Sequence, residues 1–564
     1  MSQKLFFGVM FVTFLLAVPG AHAFPGYQQN STEKNEQPAQ APMDPVLAEA
    51  GFKETAGKIN TDPVNALAVL NNGRIKPLQS LARENILYIT GSSGKWGLSP
   101  LQIYLGLAIS ATAPDVQLIN VRSPVLREKL GFTKDKRFFS LRELATSQLP
   151  ALAEPLVSNE QQNSRSMSQE DKDIIEVYNQ MWLTEQISTG AHLARAVDIA
   201  NNTQPPVIGE MATAWLQALA KSPQTAGEPL ASQLLTAARA QSVPVLFQRQ
   251  LGNLDLEVMY NRVRPFLISA IIFLLLGAAL LFPPARNFFS TGRLLAIFAI
   301  PFLLQVGGFS ARVYITGFAP VTNMYGTMLW VSLGVGLFAG LLFVLYRNFV
   351  LTGLLWMGSA AILLLTESIP LVLSPDMDPI VAVLRSNFWL TIHVLTITIS
   401  YAAFTIVMLI GNVALVRSIL HMESRKFYEE YALYAYRMIQ LGVFLLTAGI
   451  ILGGVWADYS WGRFWGWDPK ETWALIADLG FLAILHARYI GWLDAFGLLA
   501  ASPFAYLLVV MAWYGVNFIL ASGLHSYGFS SGGAMAVGAF VGLQVLLLIV
   551  AALMRARRMQ TQTS

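Results

Sequence analysis

From residue 266 onward the chain is a series of apolar runs separated by short polar joints, each run about the length a helix needs to cross a bilayer. Nine runs can be traced, roughly 266–283, 294–310, 326–346, 350–373, 388–416, 437–457, 471–490, 498–520 and 535–554. Before residue 264 the pattern is different. Amphipathic stretches at Leu141 to Leu149, Ile174 to Ile187 and Ala212 to Leu219 have helical spacing, and Asn71-Asn72-Gly73 and Gly91-Ser92-Ser93-Gly94 punctuate the region. Strand-like alternation is scarce. The pattern predicts an all-α polytopic membrane protein of about nine transmembrane helices over 265–564, preceded over 46–264 by a mainly α-helical extracytoplasmic domain.

At the start of the chain, Lys4, the apolar run Leu5 to Val18 and Ala21-His22-Ala23 predict a signal peptide over 1–23, with an uncleaved first anchor as the alternative. Residues 24–45, rich in Gln, Asn, Pro and Ser, read as a flexible linker.

Composition sharpens this division. Residues 1–264 carry 46 charged side chains and residues 265–564 only 26, with the whole net charge of +4 in the second part. At 13% charged overall, against roughly 25% for soluble domains, an all-soluble reading is excluded. The chain has no cysteine, which excludes a disulfide scaffold, a thiolate metal site and a thiol relay. So small a charge within apolar sequence gives no nucleic-acid signal. If the first domain is exported, eleven Arg and Lys residues fall on the presumed cytoplasmic side. Only Arg312, Arg385, Arg463 and Lys470 fall on the other, as the positive-inside rule asks.

The chemistry concentrates between the sixth and seventh runs, over 456–473. Five of the 13 tryptophans lie there, and the stretch from Trp461 through Arg463, Trp465 and Trp467 to Asp468, Lys470 and Glu471 mixes them with charge. An interfacial aromatic belt would explain tryptophans alone. A flat aromatic platform beside placed charges suits a large planar ligand with charged edges, and a porphyrin with propionates fits that description. Arg463 and Lys470 are candidates to pair with propionates or to snorkel to headgroups. Asp468 and Glu471 are candidates to orient the loop or cap the helix that starts near Pro469.

Three of the six histidines sit in or beside apolar runs, where an ionisable group is costly. His393 lies one turn inside the fifth run and His525 in the joint between the last two, both on the side of the tryptophan loop. As neutral imidazoles they could ligate haem iron from either face. His486 lies near the opposite end of the seventh run and cannot share that site. His192, alone on a soluble-domain helix, reads as a surface residue.

The string WGRFWGWDPKETWALI, Trp461 to Ile476, resembles the WWD signature of haem-handling proteins in cytochrome c biogenesis. Its DPKET continuation is similar to the CcsA (ResC) member of the System II cytochrome c synthase rather than to CcmF or CcmC. The resemblance covers roughly 300–555, including Trp389-Leu390 before His393, His486-Ala487-Arg488 and Gly523-Leu524-His525-Ser526. In the segment Thr316-Gly317 to Gly326, Phe318 and Gly326 stand where the family usually has His and Glu, so no role is carried to them. Asn72-Gly73-Arg74-Ile75-Lys76-Pro77-Leu78 is similar to a segment of some CcsB–CcsA fusions.

The resemblance implies a multi-pass protein of the bacterial inner membrane that binds haem b at an external site. His393 and His525 would ligate the iron over a loop of Trp461, Trp465, Trp467 and Asp468. His486 matches one ligand of a separate inner site whose other ligand a CcsB/ResB-like membrane subunit would supply. The implied activity joins haem to the CxxCH thiols of an apocytochrome c client, with thiol-reducing proteins involved indirectly. Two rivals remain open: a non-catalytic haem exporter or chaperone, and a b-type electron-transfer subunit.

Overall fold

A computed structural model describes residues 43–163, 167–200, 207–317, 321–379, 387–422, 424–520 and 533–563. The signal segment, most of the linker, Phe318, Arg385 and His525 lie outside the described residues. The chain folds as two compact units that meet in sequence at Val263 and Arg264.

In the first unit the helix Pro45–Gly57 starts where the linker was expected to end, its N-terminus capped by Asp44, whose carboxylate accepts from the Val46 N–H. The helices Leu78–Thr90, Pro100–Ile109, Gln169–Ser188 and Val207–Lys221 pack their apolar faces into one core around Phe52, Tyr104 and Trp215. The stretch expected from Leu141 to Leu149 is broken: one helix covers Leu141–Ala145 and the next begins at Leu149, because Thr146, Ser147 and Gln148 turn the chain between them. Ser147 takes part directly, its hydroxyl donating to the Leu144 carbonyl and accepting from the Leu149 N–H.

A hairpin of β1, Ala68–Asn71, and β2, Arg74–Pro77, is the polar heart of this unit. Its turn passes through Asn72 and Gly73 with φ of 50° and 69°, as a two-residue hairpin turn demands. Arg74 and Lys76 alternate along β2 and are both buried. Arg74 makes a forked pair with Glu257, at 2.6 and 3.0 Å, and Ser80 donates to the same carboxylate at 2.6 Å. Lys76 reaches Glu84 at 2.6 Å. Two cations without these partners would be prohibitively costly in a core.

His192 is also buried, contrary to the surface position expected from the sequence. Its Nδ1 meets the Tyr104 hydroxyl at 2.7 Å, with the rings edge to face. The reason is tertiary: Tyr104 arrives from a helix 88 residues earlier.

The second unit is a bundle of apolar helices: α1, Pro265–Leu281; α2, Thr291–Thr316; α3, Met324–Tyr346; α4, Phe349–Ser368; α5, Asn387–Ile419; α6, Arg425–Trp461; α7, Pro469–Tyr489; α8, Ala495–Val510; and α9, Ala534–Thr563. Every run traced in the sequence is a helix, but among the described residues eight are long and apolar enough to cross a membrane. The exception is α7, which carries Lys470, Glu471, Asp478 and Arg488 along its length. The fourth run ends at Ser368 rather than 373, and the sixth extends from 437–457 to a helix of 37 residues. Beyond Val510 the chain continues as a π-helix, Met511–Leu520.

Small residues let these helices approach. A Cβ on Gly277 of α1 would lie 2.6 Å from the Gly353 carbonyl of α4, and one on Gly353 would lie 2.7 Å from the Gly277 carbonyl. At the end of the bundle that leads into α5, Asn323 caps α3 through the Gly326 N–H and donates to the Ser374 and Asp376 carbonyls. Buried Arg312 donates to the Pro375 carbonyl at 3.0 Å. These two side chains fasten the segment that follows α4.

Candidate functional site

Helix α5 crosses α6 in antiparallel register on a stripe of glycines. Gly442 faces Phe404, Gly449 faces Ile397 and Gly453 faces His393, so that steps of seven and four up one helix are matched by steps down the other. His393 ends this series. Its Nδ1 lies 2.8 Å from the Gly449 carbonyl. A carbonyl can only accept, so the proton is assigned to Nδ1, and Nε2 carries the lone pair. The imidazole lies parallel to Trp456, within 4° and with centroids 6.4 Å apart. Trp456 is itself 1% exposed and packs with Trp389, Val394 and Trp461.

The tryptophan segment is less of a loop than its sequence suggests. Trp456 and Trp461 belong to the last turns of α6, and Trp473 to the first turns of α7, which leaves only Gly462 to Asp468 outside a helix. Gly462 stops α6 in the left-handed region, with φ of 69° and its N–H on the Asp458 carbonyl. Trp467 also has a positive φ, 56°, an unfavourable state for a bulky residue, and the residue is 70% exposed. Trp465 meets it edge-on at 5.6 Å.

The charges of the segment hold it together. Asp468 caps α7 by accepting from the Lys470 and Glu471 N–H groups at 2.9 and 3.0 Å. Glu471 reaches back to the N–H groups of Asp468 and Gly466, and its other oxygen accepts from Arg463 at 2.8 Å. Arg463 also approaches Asp468 at 3.9 Å and lies over the Trp461 ring. Arg463 is therefore engaged within the segment. Lys470 makes no ion pair among those the described residues show. Burial lowers its ammonium pKa to about 8, against the opposing pull of Asp468.

His393 and the tryptophan segment are thus brought together. His486 is not: it lies exposed near the far end of α7, seventeen residues or about 25 Å along the helix from Pro469. Its Nδ1 contacts the Leu482 carbonyl at 2.9 Å, which assigns it the same tautomer as His393. The reading from sequence missed Asp478, buried in α7 and accepting from Thr447 of α6 at 2.8 Å. A lone acidic residue in an apolar run was its signal. A groove of about 690 Å³ in the first unit, lined by Asp62, Leu235, Arg239, Asp255, Met259 and Arg262, has its charges matched in Arg239–Asp255 and Arg262–Asp62 pairs. It carries no comparable chemistry.

Fold and site together define a multi-pass helical membrane protein with a histidine–tryptophan centre at one end of its bundle. The cytochrome c assembly protein family matches residues 321–525, from the start of α3 to the position of His525. The protein NrfI of Wolinella succinogenes is 31% identical over 494 residues, 81% of this chain, and the chain spans 53% of that relative's length. That alignment is longer than the membrane unit. The cytochrome c biogenesis protein CcsA of Guillardia theta is 34% identical over 283 residues, 44% of this chain and 89% of the relative. CcsA of Chlorella vulgaris is 34% identical over 257 residues, 38% of the chain and 79% of the relative. The chain belongs to the CcsA-type cytochrome c assembly family.

Proposed function

We propose that this protein works in cytochrome c biogenesis by holding haem b, as substrate, at the His393–tryptophan centre while apocytochrome c thiols are joined to it. The observation that carries the reading is the setting of His393. A histidine that donates Nδ1–H to a carbonyl has its Nε2 lone pair oriented for a metal, the usual arrangement around a ligating imidazole. Trp456 lies parallel to that ring, and the segment that follows Trp461 presents the exposed indole of Trp467. His525 is proposed as the second axial ligand by its place in the sequence.

Attachment adds each client thiol across a vinyl double bond, sulfur to one carbon and hydrogen to the other, so no oxidant is consumed. The protein's share is placement. His393 fixes the iron, while Trp461, Trp465 and Trp467 hold the macrocycle by its faces. Lys470 is proposed to receive a propionate. Arg463, Asp468 and Glu471 keep the segment in shape rather than touch the ligand. With α7 counted as a ninth crossing, the asymmetry of basic residues supports a periplasmic position for this centre and for the first unit, with a cytoplasmic C-terminus. His486 is proposed as one ligand of an inner haem position, a CcsB/ResB-like subunit giving the other.

The test is the absorption spectrum of the full chain purified alone, with its His393→Ala and His525→Ala variants. Each variant is expected to lose bound haem or its axial-ligand bands, and added imidazole to restore them. Wild-type spectra and activity in both variants would overturn the assignment.

A further inference from the structure

Gly453 occupies the one place on α6 that the His393 imidazole needs. A Cβ built there would lie 2.5 Å from Cε1, 2.8 Å from Nδ1 and 3.2 Å from Nε2 of His393. The first two distances are shorter than real Cβ contacts and the third is tighter than most, and the atoms met are the ring itself rather than the end of a flexible chain. Displacing the ring would also disturb its parallel setting against Trp456. It cannot rise from the helix and keep the Gly449 carbonyl at 2.8 Å. That carbonyl is one turn before Gly453, the one the helical ladder pairs with the Gly453 N–H. Its second lone pair becomes reachable only because residue 453 has no side chain.

From this geometry we infer that Gly453 is a positioning residue for His393, setting the depth, tautomer and direction of the imidazole that meets the iron. The inference rests on the reading of His393 as a haem ligand. The other stripe glycines do different work. Gly442 receives Phe404 and Gly449 receives Ile397, so their absence of side chains serves helix packing alone. Any methyl at 453 instead moves a ligand. Loss of such a supporting arrangement commonly weakens a metal site by about tenfold or more.

The experiment compares Gly453→Ala with Gly442→Ala in the full chain, reading thermal stability and the spectrum of bound haem. Both methyls meet a ring at 2.5 Å, so both lower stability. Only Gly453→Ala is expected to lose the histidine-ligated bands, and only there should imidazole bring them back. Unchanged bands in Gly453→Ala overturn the inference. If Gly453→Ala fails to fold, the ring is removed first: His393→Gly leaves room for the methyl. Imidazole is then titrated into His393→Gly with and without Gly453→Ala. Binding about tenfold weaker in the double variant supports the inference, and equal binding overturns it. If His393→Gly itself keeps the wild-type spectrum, the ligand reading has failed and this inference falls with it.

Discussion

Two turns in this molecule are built from ionic contacts, and they are built oppositely. In the first unit, Arg74 on the β1–β2 hairpin finds Glu257 183 residues away, and both side chains are almost wholly buried. In the membrane unit, Arg463, Asp468 and Glu471 lie within eight residues of one another and Arg463 keeps contact with solvent. The first arrangement ties distant parts of the chain into one core and presents nothing. The second closes on itself, so the seven residues between α6 and α7 keep their shape and can hold Trp467 outward. Charge pairs serve tertiary structure in one place and local display in the other.

The contrast can be broken most severely at Glu257. Glu257→Ala strands a buried guanidinium and should cost the first unit about 3–5 kcal/mol, seen as loss of hydrogen-exchange protection in the helix Leu78–Thr90. Replacing both partners with apolar residues, Arg74→Met with Glu257→Leu, should recover most of that loss. If the single and double variants are equally unstable, the ion pair is not what the hairpin depends on.

The next effect is in pH. Burial, with Arg195 adding to it, pulls His192 down to about 4 from 6.5, so the unfolded chain takes up a proton that the folded unit refuses. Stability is full above about 6.5 and falls as pH drops through 6.5 towards 4, by up to about 3 kcal/mol. His192→Gln should flatten this dependence in exchange measurements at pH 7 and pH 5. An unchanged slope would remove His192 as its source.

Glu471→Ala comes third. It deletes the return half of the α7 cap and releases Arg463, worth about 1–2 kcal/mol locally. The bundle should melt as before, while haem titration shows weaker binding. Wild-type haem affinity would separate loop shape from binding. The smallest effect is expected at Arg239, whose pair with Asp255 is exposed. Arg239→Ala should shift stability by less than about 0.5 kcal/mol, a baseline for the other three.

What was legible in the sequence follows the same division. The bundle could be read because a bilayer imposes a minimum apolar length on each crossing, and the tryptophans and His393 stood out because such residues are conspicuous in apolar runs. The α7 helix was placed correctly but is more polar than its neighbours, since it carries the site's charges at one end and Asp478 within. The stripe of Gly442, Gly449 and Gly453 was not read. Glycine in an apolar run carries no polar mark, and only its spacing of seven and four betrays a face. His192 was misplaced because its burial depends on Tyr104, and the Arg74–Glu257 pair was invisible because nothing local announces a partner so far along the chain.

The shared register of α5 and α6 also bears on how the protein behaves in different membranes. Gly442 and Gly453 stand eleven residues apart, about 16 Å of interlocked helix. A slip of one residue would displace His393 by about 1.5 Å and rotate it by about 100°, so intermediate positions are closed to it. A thinner or thicker bilayer therefore tilts the two helices as a single strut. Lipid composition would change the tilt of the pair, while imidazole, glycine and indole keep their spacing.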